Sequence, residues 1–493
     1  MKIDIFSKKT IAEISDLLKR REISYTELIL SVIEKIKSQE KKIGAYLTLT
    51  TDLALKEADE LDKHGRVPNN FLFGIPISVK DTFTTKGVKT TAGSKILEEF
   101  IPPYDATSYK RLKTKGTILI GKTNMDEYAH GFTTEYSAFQ STRNPWNVSR
   151  VPGGSSGGSA ASVTVGMSLL SLASENFGSI IQPSALCGVV GMKPTYGRAS
   201  RYGIIAMVSS LECPGIIGRC VEDVALGIGA ICGTDEYDMT TVNKQKENFY
   251  RNMDSKIQGK RIAVIKPIIS NIDNHEIVCA IEKALHLFST MGAVIEYIDW
   301  YDLSVDSIIY DILYRAEVAS NLARYDGIRY GYRNLGKTTD LDKYYKLCRS
   351  RFGKHVKRQI ITEPITLEDE NKDIYSTALK IRRQNSSFID SFFKKYDAII
   401  TPACTFVELE MGKTEDQKWR NENRHLGKIN AAMICPTALY GYPAITFPIE
   451  LSKSGMPIGI NMFTARFNEQ ILFNLAYAFE ENTELKFLIP KTL

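Results

Sequence analysis

The chain lacks the marks of several protein classes. Its eight cysteines (Cys187, Cys213, Cys220, Cys232, Cys279, Cys348, Cys404 and Cys435) contain no CxxC pair, and its six histidines are isolated, so no zinc or iron site is expected. In a chain of 493 residues, scattered cysteines predict reduced, mostly buried thiols and a cytoplasmic location. No apolar run reaches the roughly 18 residues needed to span a bilayer, so no membrane partner is expected. The opening Met1-Lys2-Ile3-Asp4-Ile5-Phe6 has neither a signal-peptide apolar segment nor the basic, acid-free character of a transit peptide. Repeats, low-complexity tracts and obvious interdomain linkers are missing. A large excess of one charge is missing too: a formal +6 fits a solvated basic surface better than a nucleic-acid footprint.

What is present is the composition of a soluble globular protein, 43% apolar and 24% charged. Residues 10–38 read as two helices, the second opened by the capping box Ser24-x-x-Glu27. Strand-like segments follow at 74–80, 117–120 and 167–173, then at 261–265, 293–297, 398–401, 444–449 and 458–463. Helical or loop stretches separate them, which predicts an α/β fold with a large mixed sheet. The polar, tyrosine-rich stretch of about 303–396 reads mainly as helix and suits a cap over the core. One domain spanning 1–493 is the simplest organisation, with its core at about 70–235.

The densest chemistry is the run Pro152-Gly153-Gly154-Ser155-Ser156-Gly157-Gly158-Ser159. Glycine weakens element interiors, so the run reads as a loop whose backbone approaches a reacting group. Gly154-x-Ser156-x-Gly158 matches the nucleophile elbow of α/β-hydrolases in form, but no buried strand precedes it. The run also does not end in the Gly-Lys-Ser/Thr of a phosphate loop. Two other positions can act with it. Ser179 follows in Phe177-Gly178-Ser179. Lys80 ends Ile75-Pro76-Ile77-Ser78-Val79-Lys80, where alternation puts Ser78 and Lys80 on one face. Two serines and a lysine make a possible nucleophile, proton relay and base, provided burial keeps the lysine neutral; burial lowers a lysine pKa by up to about 3–5 units.

Several motifs in order resemble the amidase signature family over nearly the whole chain. They are Gly74 to Asp81, Gly153 to Ser159, Ser179, Gln182-Pro183-Ser184-Ala185-Leu186-Cys187-Gly188 and Gly191-Met192-Lys193-Pro194-Thr195-Tyr196-Gly197-Arg198. Further segments, including Gly87 to Leu97, Lys122 to Tyr128, Arg143-Asn144-Pro145-Trp146 and Asn321 to Gly331, resemble one branch of it: the ammonia-supplying (A) subunits of tRNA-dependent amidotransferases. The resemblance implies a Ser179 nucleophile, Ser155 as bridging serine in a cis peptide, and Lys80 as base. It also implies an oxyanion hole from the N–H groups of Asn176, Phe177, Gly178 and Ser179, with glutamine as substrate and Arg358 as a contact for its carboxylate. It further implies a heterotrimer with B and C subunits that uses ATP and Mg²⁺ on misacylated tRNA, with no metal or cofactor in this chain.

The sequence departs from the family pattern Asp-Thr-Gly-Gly-Ser-Ile-Arg, reading Glu175-Asn176-Phe177-Gly178-Ser179-Ile180-Ile181. Phe177 replaces a glycine. A left-handed backbone there would cost about 1–3 kcal/mol, and otherwise the ring is free to occupy substrate space. Ile181 replaces an arginine. Ala431, beside Asn430, stands where the family has an aspartate for the α-amino group of glutamine. Three readings stay open: a working glutaminase subunit, a glutaminase-impaired relative with a structural role, and a stand-alone amidase for another amide.

Overall fold

The computed structural model describes residues 8–64, 68–334, 336, 338–362 and 372–491. Its centre is a sheet of eleven strands: β1 (Tyr46–Leu49), β2 (Pro76–Lys80), β3 (Ile118–Thr123), β4 (Leu170–Glu175), β5 (Val190–Lys193), β6 (Cys213–Gly218), β7 (Arg261–Ile265), β8 (Val294–Ile298), β9 (Ala398–Pro402), β10 (Ala444–Leu451) and β11 (Pro457–Phe463). The spatial order is β1-β3-β2-β4-β6-β5-β10-β11-β9-β7-β8. Parallel pairs (β3/β2, β2/β4, β9/β7, β7/β8) lie on either side of an antiparallel middle, so the sheet is mixed. Strands β1, β5 and β6 are not legible as strands in the sequence. β1 and β5 are four residues long, and Pro214 and Gly215 interrupt the apolar pattern of β6.

Helices cover the sheet. α1 (Ile11–Lys19) and α2 (Tyr25–Ile43) both carry capping boxes, the second on Ser24 and Glu27 as its sequence predicts. α3 (Gly157–Thr164) and α4 (Ile181–Cys187) flank the centre of the sheet. The 303–396 region forms α5 (Leu303–Ala323), α6 (Leu341–Arg349), α7 (Lys354–Thr362) and α8 (Lys372–Phe392); α9 (Arg424–Leu439) packs against α5. The eight cysteines are unpaired, and all but Cys279 are buried. No described helix is long and apolar enough to cross a membrane.

The glycine–serine run is only half a loop: Gly157, Gly158 and Ser159 form the first turn of α3. Close packing accounts for this helix start on glycine. A Cβ on Gly158 would lie 2.5 Å from the Asn124 carbonyl oxygen and 2.6 Å from that of Ala45. A Cβ on Gly154 would lie 2.5 Å from the Asp126 carboxylate and 2.7 Å from the Thr133 nitrogen. The helix therefore sits against the chain on both sides.

Strand β2 is buried on both faces, so its polar face is internal. Ser78 shares hydrogen bonds with Ser168 (3.0 Å) and Ser171 (2.9 Å), while Lys80 reaches the next layer. Beside it, Lys122 pairs with Asp81 at 3.3 Å, both fully buried, and donates to the Phe83 carbonyl and the Thr90 hydroxyl. Asp81 also accepts from the Thr91 N–H and hydroxyl. Lys122→Met is expected to destabilise the protein by about 3–5 kcal/mol, because it leaves a buried carboxylate without its cation. The urea midpoint should fall accordingly, and Lys122→Met with Asp81→Asn should recover part of the loss.

Candidate active site

Lys80 is the last residue of β2, and β2 runs parallel to β4. That places the Lys80 ammonium beside Ser174, at 3.1 Å from its hydroxyl and 3.3 Å from its carbonyl oxygen. Lys80 also donates to Ser155 Oγ at 2.8 Å, and Ser155 Oγ donates to Ser179 Oγ at 3.0 Å. The structure thus joins Lys80, Ser155 and Ser179, far apart in sequence, in one buried hydrogen-bonded line. The Gly154–Ser155 peptide is cis. The neighbouring Ser156 hydroxyl donates to the Ser174 carbonyl, which ties the loop to β4.

Burial disfavours the charged form of Lys80 and pulls its pKa from the ordinary lysine value down to about 8. The carboxyls of Glu212, Glu175 and Asp126 oppose that fall. Burial acts on these acids in the other direction. It pushes Glu212 and Asp126 up to about 7 and also raises Glu175. One buried amine and three buried acids therefore share a region in which burial moves each toward its neutral form. Glu212 gives no local signal in the sequence; β6 brings it alongside the end of β4.

The Ser179 loop is held by Glu175. Its carboxylate accepts from the N–H groups of Gly178 and Ile180, and from Ile181 at 3.3 Å. Gly178 takes the left-handed conformation, at φ +79°, and Phe177 does not. The backbone strain considered for Phe177 is therefore absent. Its half-buried ring instead stacks on Tyr310 of α5, with centroids 4.0 Å apart and planes at 25°. The N–H of Gly178, expected in the oxyanion hole, is engaged by Glu175. The N–H groups of Phe177 and Ser179 have no protein acceptor among the described residues. Asn176 is buried at the end of β4.

Ile181 is buried at the start of α4. Ala431 is buried in α9, one turn before Ile434, whose Cδ1 would lie 2.7 Å from a Cβ on Gly178. Residues three apart share a helix face, so position 431 lies on the side of α9 that faces the Ser179 loop. Asn430 points elsewhere, accepting from the Thr405 N–H at 3.2 Å. Arg358 is exposed on α7, one turn after His355, whose ring stacks on Tyr136 at 4.1 Å. Away from this centre, Cys220, Glu222 and Glu480 come within ligand distance of one another, but the Lys486 ammonium lies 2.7 Å from Glu222 and already supplies a cation.

Comparison with known proteins is consistent from end to end. The family profile described as Amidase matches residues 27–473. The A subunit of glutamyl-tRNA(Gln) amidotransferase from Caldanaerobacter subterraneus subsp. tengcongensis is 40% identical over 481 residues, 96% of each chain. The crystal structure of the corresponding A subunit of glutamyl-tRNA(Gln) amidotransferase from Thermotoga maritima superposes with a TM-score of 0.81 at 32% identity, covering 99% of this chain and 98% of that one. Native peptide amidase from Stenotrophomonas maltophilia gives a TM-score of 0.82 at 25% identity, covering 99% of both chains. With profile, sequence and fold in agreement over nearly its whole length, this chain belongs to the amidase signature family and is an amidase-type enzyme.

Proposed function

We propose that the chain is the glutaminase (A) subunit of a tRNA-dependent amidotransferase, releasing ammonia from glutamine for the conversion of Glu-tRNA(Gln) to Gln-tRNA(Gln). The carrying observation is the buried Lys80–Ser155–Ser179 line. Its similarity to named A subunits over 96% of the chain supports the choice of acyl donor. The same kinship supports a B subunit that activates the misacylated tRNA with ATP and Mg²⁺, a small C subunit, and a cytoplasmic location. This chain itself then holds no cofactor.

In this reading Ser179 Oγ attacks the side-chain amide carbon of glutamine. Its proton passes to Ser155 Oγ as the Ser155 proton passes to neutral Lys80. With Lys80 donating to Ser155 and Ser155 donating to Ser179, neither hydroxyl directs its proton toward the amine, which suits a lysine that still holds its own. Losing that proton lets both hydroxyl rotors reverse, and only then is Ser179 activated. The tetrahedral oxyanion is met by the N–H groups of Phe177 and Ser179, and by Gly178 once the Glu175 carboxylate yields it; one such donor is worth about 2.7–4 kcal/mol. Collapse returns the proton to the leaving nitrogen as ammonia departs, and water then frees glutamate from the acyl-enzyme. Arg358 supplies charge for the substrate carboxylate from α7.

Assembled with B and C subunits, the chain should support Gln-tRNA formation from glutamine as well as from ammonium chloride. Success with ammonium alone would make its role structural. Ser179→Ala should lose at least about a thousandfold in glutamine-driven rate while the ammonium-driven rate stands, because the nucleophile has no substitute. Finally, Lys80 must be neutral to act and its pKa is near 8. The glutaminase rate should therefore rise about tenfold per pH unit below that value and level off above it. A profile flat across the neutral range would remove Lys80 as the base.

A further inference from the structure

A chain of contacts connects the two sides of the Ser155–Ser179 pair. On one side Phe177, two residues before Ser179, stacks on Tyr310. Tyr310 stacks on Tyr314, one turn on in α5, at 5.5 Å. The Tyr314 ring meets His130 edge-on at 5.6 Å, and its hydroxyl lies 2.6 Å from His130 Nδ1. On the other side His130 belongs to the 126–134 loop, which returns directly to the cis serine. The Asp126 carboxylate and the Thr133 nitrogen lie where a Cβ on Gly154 would fall. The contacts Ser155, loop 126–134, His130, Tyr314, Tyr310, Phe177, Ser179 thus join the two sides of the serine pair through a row of side-chain rings.

His130 has a feature its structural neighbours do not explain. It is 1% exposed, yet Nε2 has no hydrogen-bond partner among the described residues. Burial, then the neighbouring His355, push its pKa down to about 3, so the imidazole is neutral in the working range. The Tyr314 hydroxyl and Nδ1 share one hydrogen bond; in the tautomer in which the hydroxyl donates, the proton resides on Nε2, a desolvated donor without an acceptor among the described residues. An unmade buried hydrogen bond is destabilising, and a ligand atom can supply the missing half. The loop is shaped to present it: Tyr128 and Ala129, just before His130, both take left-handed φ (50° and 62°), uncommon for residues with side chains.

We propose that His130 is a specificity-determining residue, its Nε2–H donating to an acceptor on the end of the acyl donor remote from the scissile amide. The proposal rests on the glutaminase reading. For glutamine that acceptor is the α-carboxylate. His355 neighbours His130 and lies one turn before Arg358 on α7, so the arginine proposed for the same carboxylate is carried by a helix that reaches His130. The acyl donors accepted are then primary amides that carry a hydrogen-bond acceptor at that end.

The test uses the assembled enzyme with glutamine, butyramide (an amide without the remote acceptor) and ammonium chloride. In His130→Leu the KM for glutamine should rise roughly tenfold or more, as expected when a polar anchor is removed. The kcat should stay within about threefold, and butyramide hydrolysis and the ammonium-driven rate should be unchanged. His130→Gln, which keeps an N–H donor, should recover part of the KM. Glutamine turnover by the wild type with an unchanged KM in His130→Leu overturns this proposal alone. Matching losses of glutamine- and ammonium-driven rates in both variants make His130 structural and overturn it as well. Wild-type hydrolysis of butyramide but not glutamine defeats this proposal and the glutaminase reading together.

Discussion

The constraint on which this structure turns is the burial of the Lys80 ammonium. A lysine fully buried at the end of a central strand is shielded from solvent, so its partners come from the protein. Ser155 and Ser174 supply oxygen acceptors, and three acids supply a field. The balance leaves the amine partly deprotonated near neutral pH, the condition a general base needs. Lys122, equally buried, shows the alternative. A carboxylate at 3.3 Å and two further acceptors make it a structural cation.

The fold serves that constraint by bringing three strand ends together. β2 delivers the lysine, β4 delivers Ser174 and the Ser179 loop, and β6 delivers Glu212. Gly154 and Gly158 are needed for proximity, since a methyl group on either would overlap backbone or carboxylate atoms, while Gly153 also takes a left-handed φ of 82°. Glu175 grips N–H groups on both sides of Ser179, which fixes the Ser179 loop and occupies the Gly178 N–H. The cap reaches the same loop through the Phe177–Tyr310 stack. A substitution that looks like damage to a glycine motif is in fact a packed contact between the loop and α5.

The division between what was and was not legible follows from the range of the interactions. Capping at Ser24, the alternation of Ser78 and Lys80, and most strands rest on periodicities a few residues long, and these read directly from the sequence. So did the identities of Lys80, Ser155 and Ser179. The helical start at Gly157 did not, because its cause is the approach of Asn124 and Ala45 from elsewhere in the chain. Glu212 and Tyr310 went unnoticed for the same reason: nothing within a few residues of either marks it as part of a site, and Asp126, inside the Lys122–Tyr128 motif, and His130, just after it, gain their places beside the serines only in the fold.

The sequence by itself determined the family, the mixed α/β architecture and the two serines and lysine that the fold joins in one hydrogen-bonded line. Only the tertiary structure decided that Phe177 is unstrained, that Gly178 is held by Glu175, that Ala431 lies on the side of α9 facing the loop, and that the buried His130 Nε2 has no partner among the described residues. Motifs record which groups a chain carries. Charge state, hydrogen-bond direction and pocket shape depend on burial and on distances between segments far apart in sequence, which only folding sets.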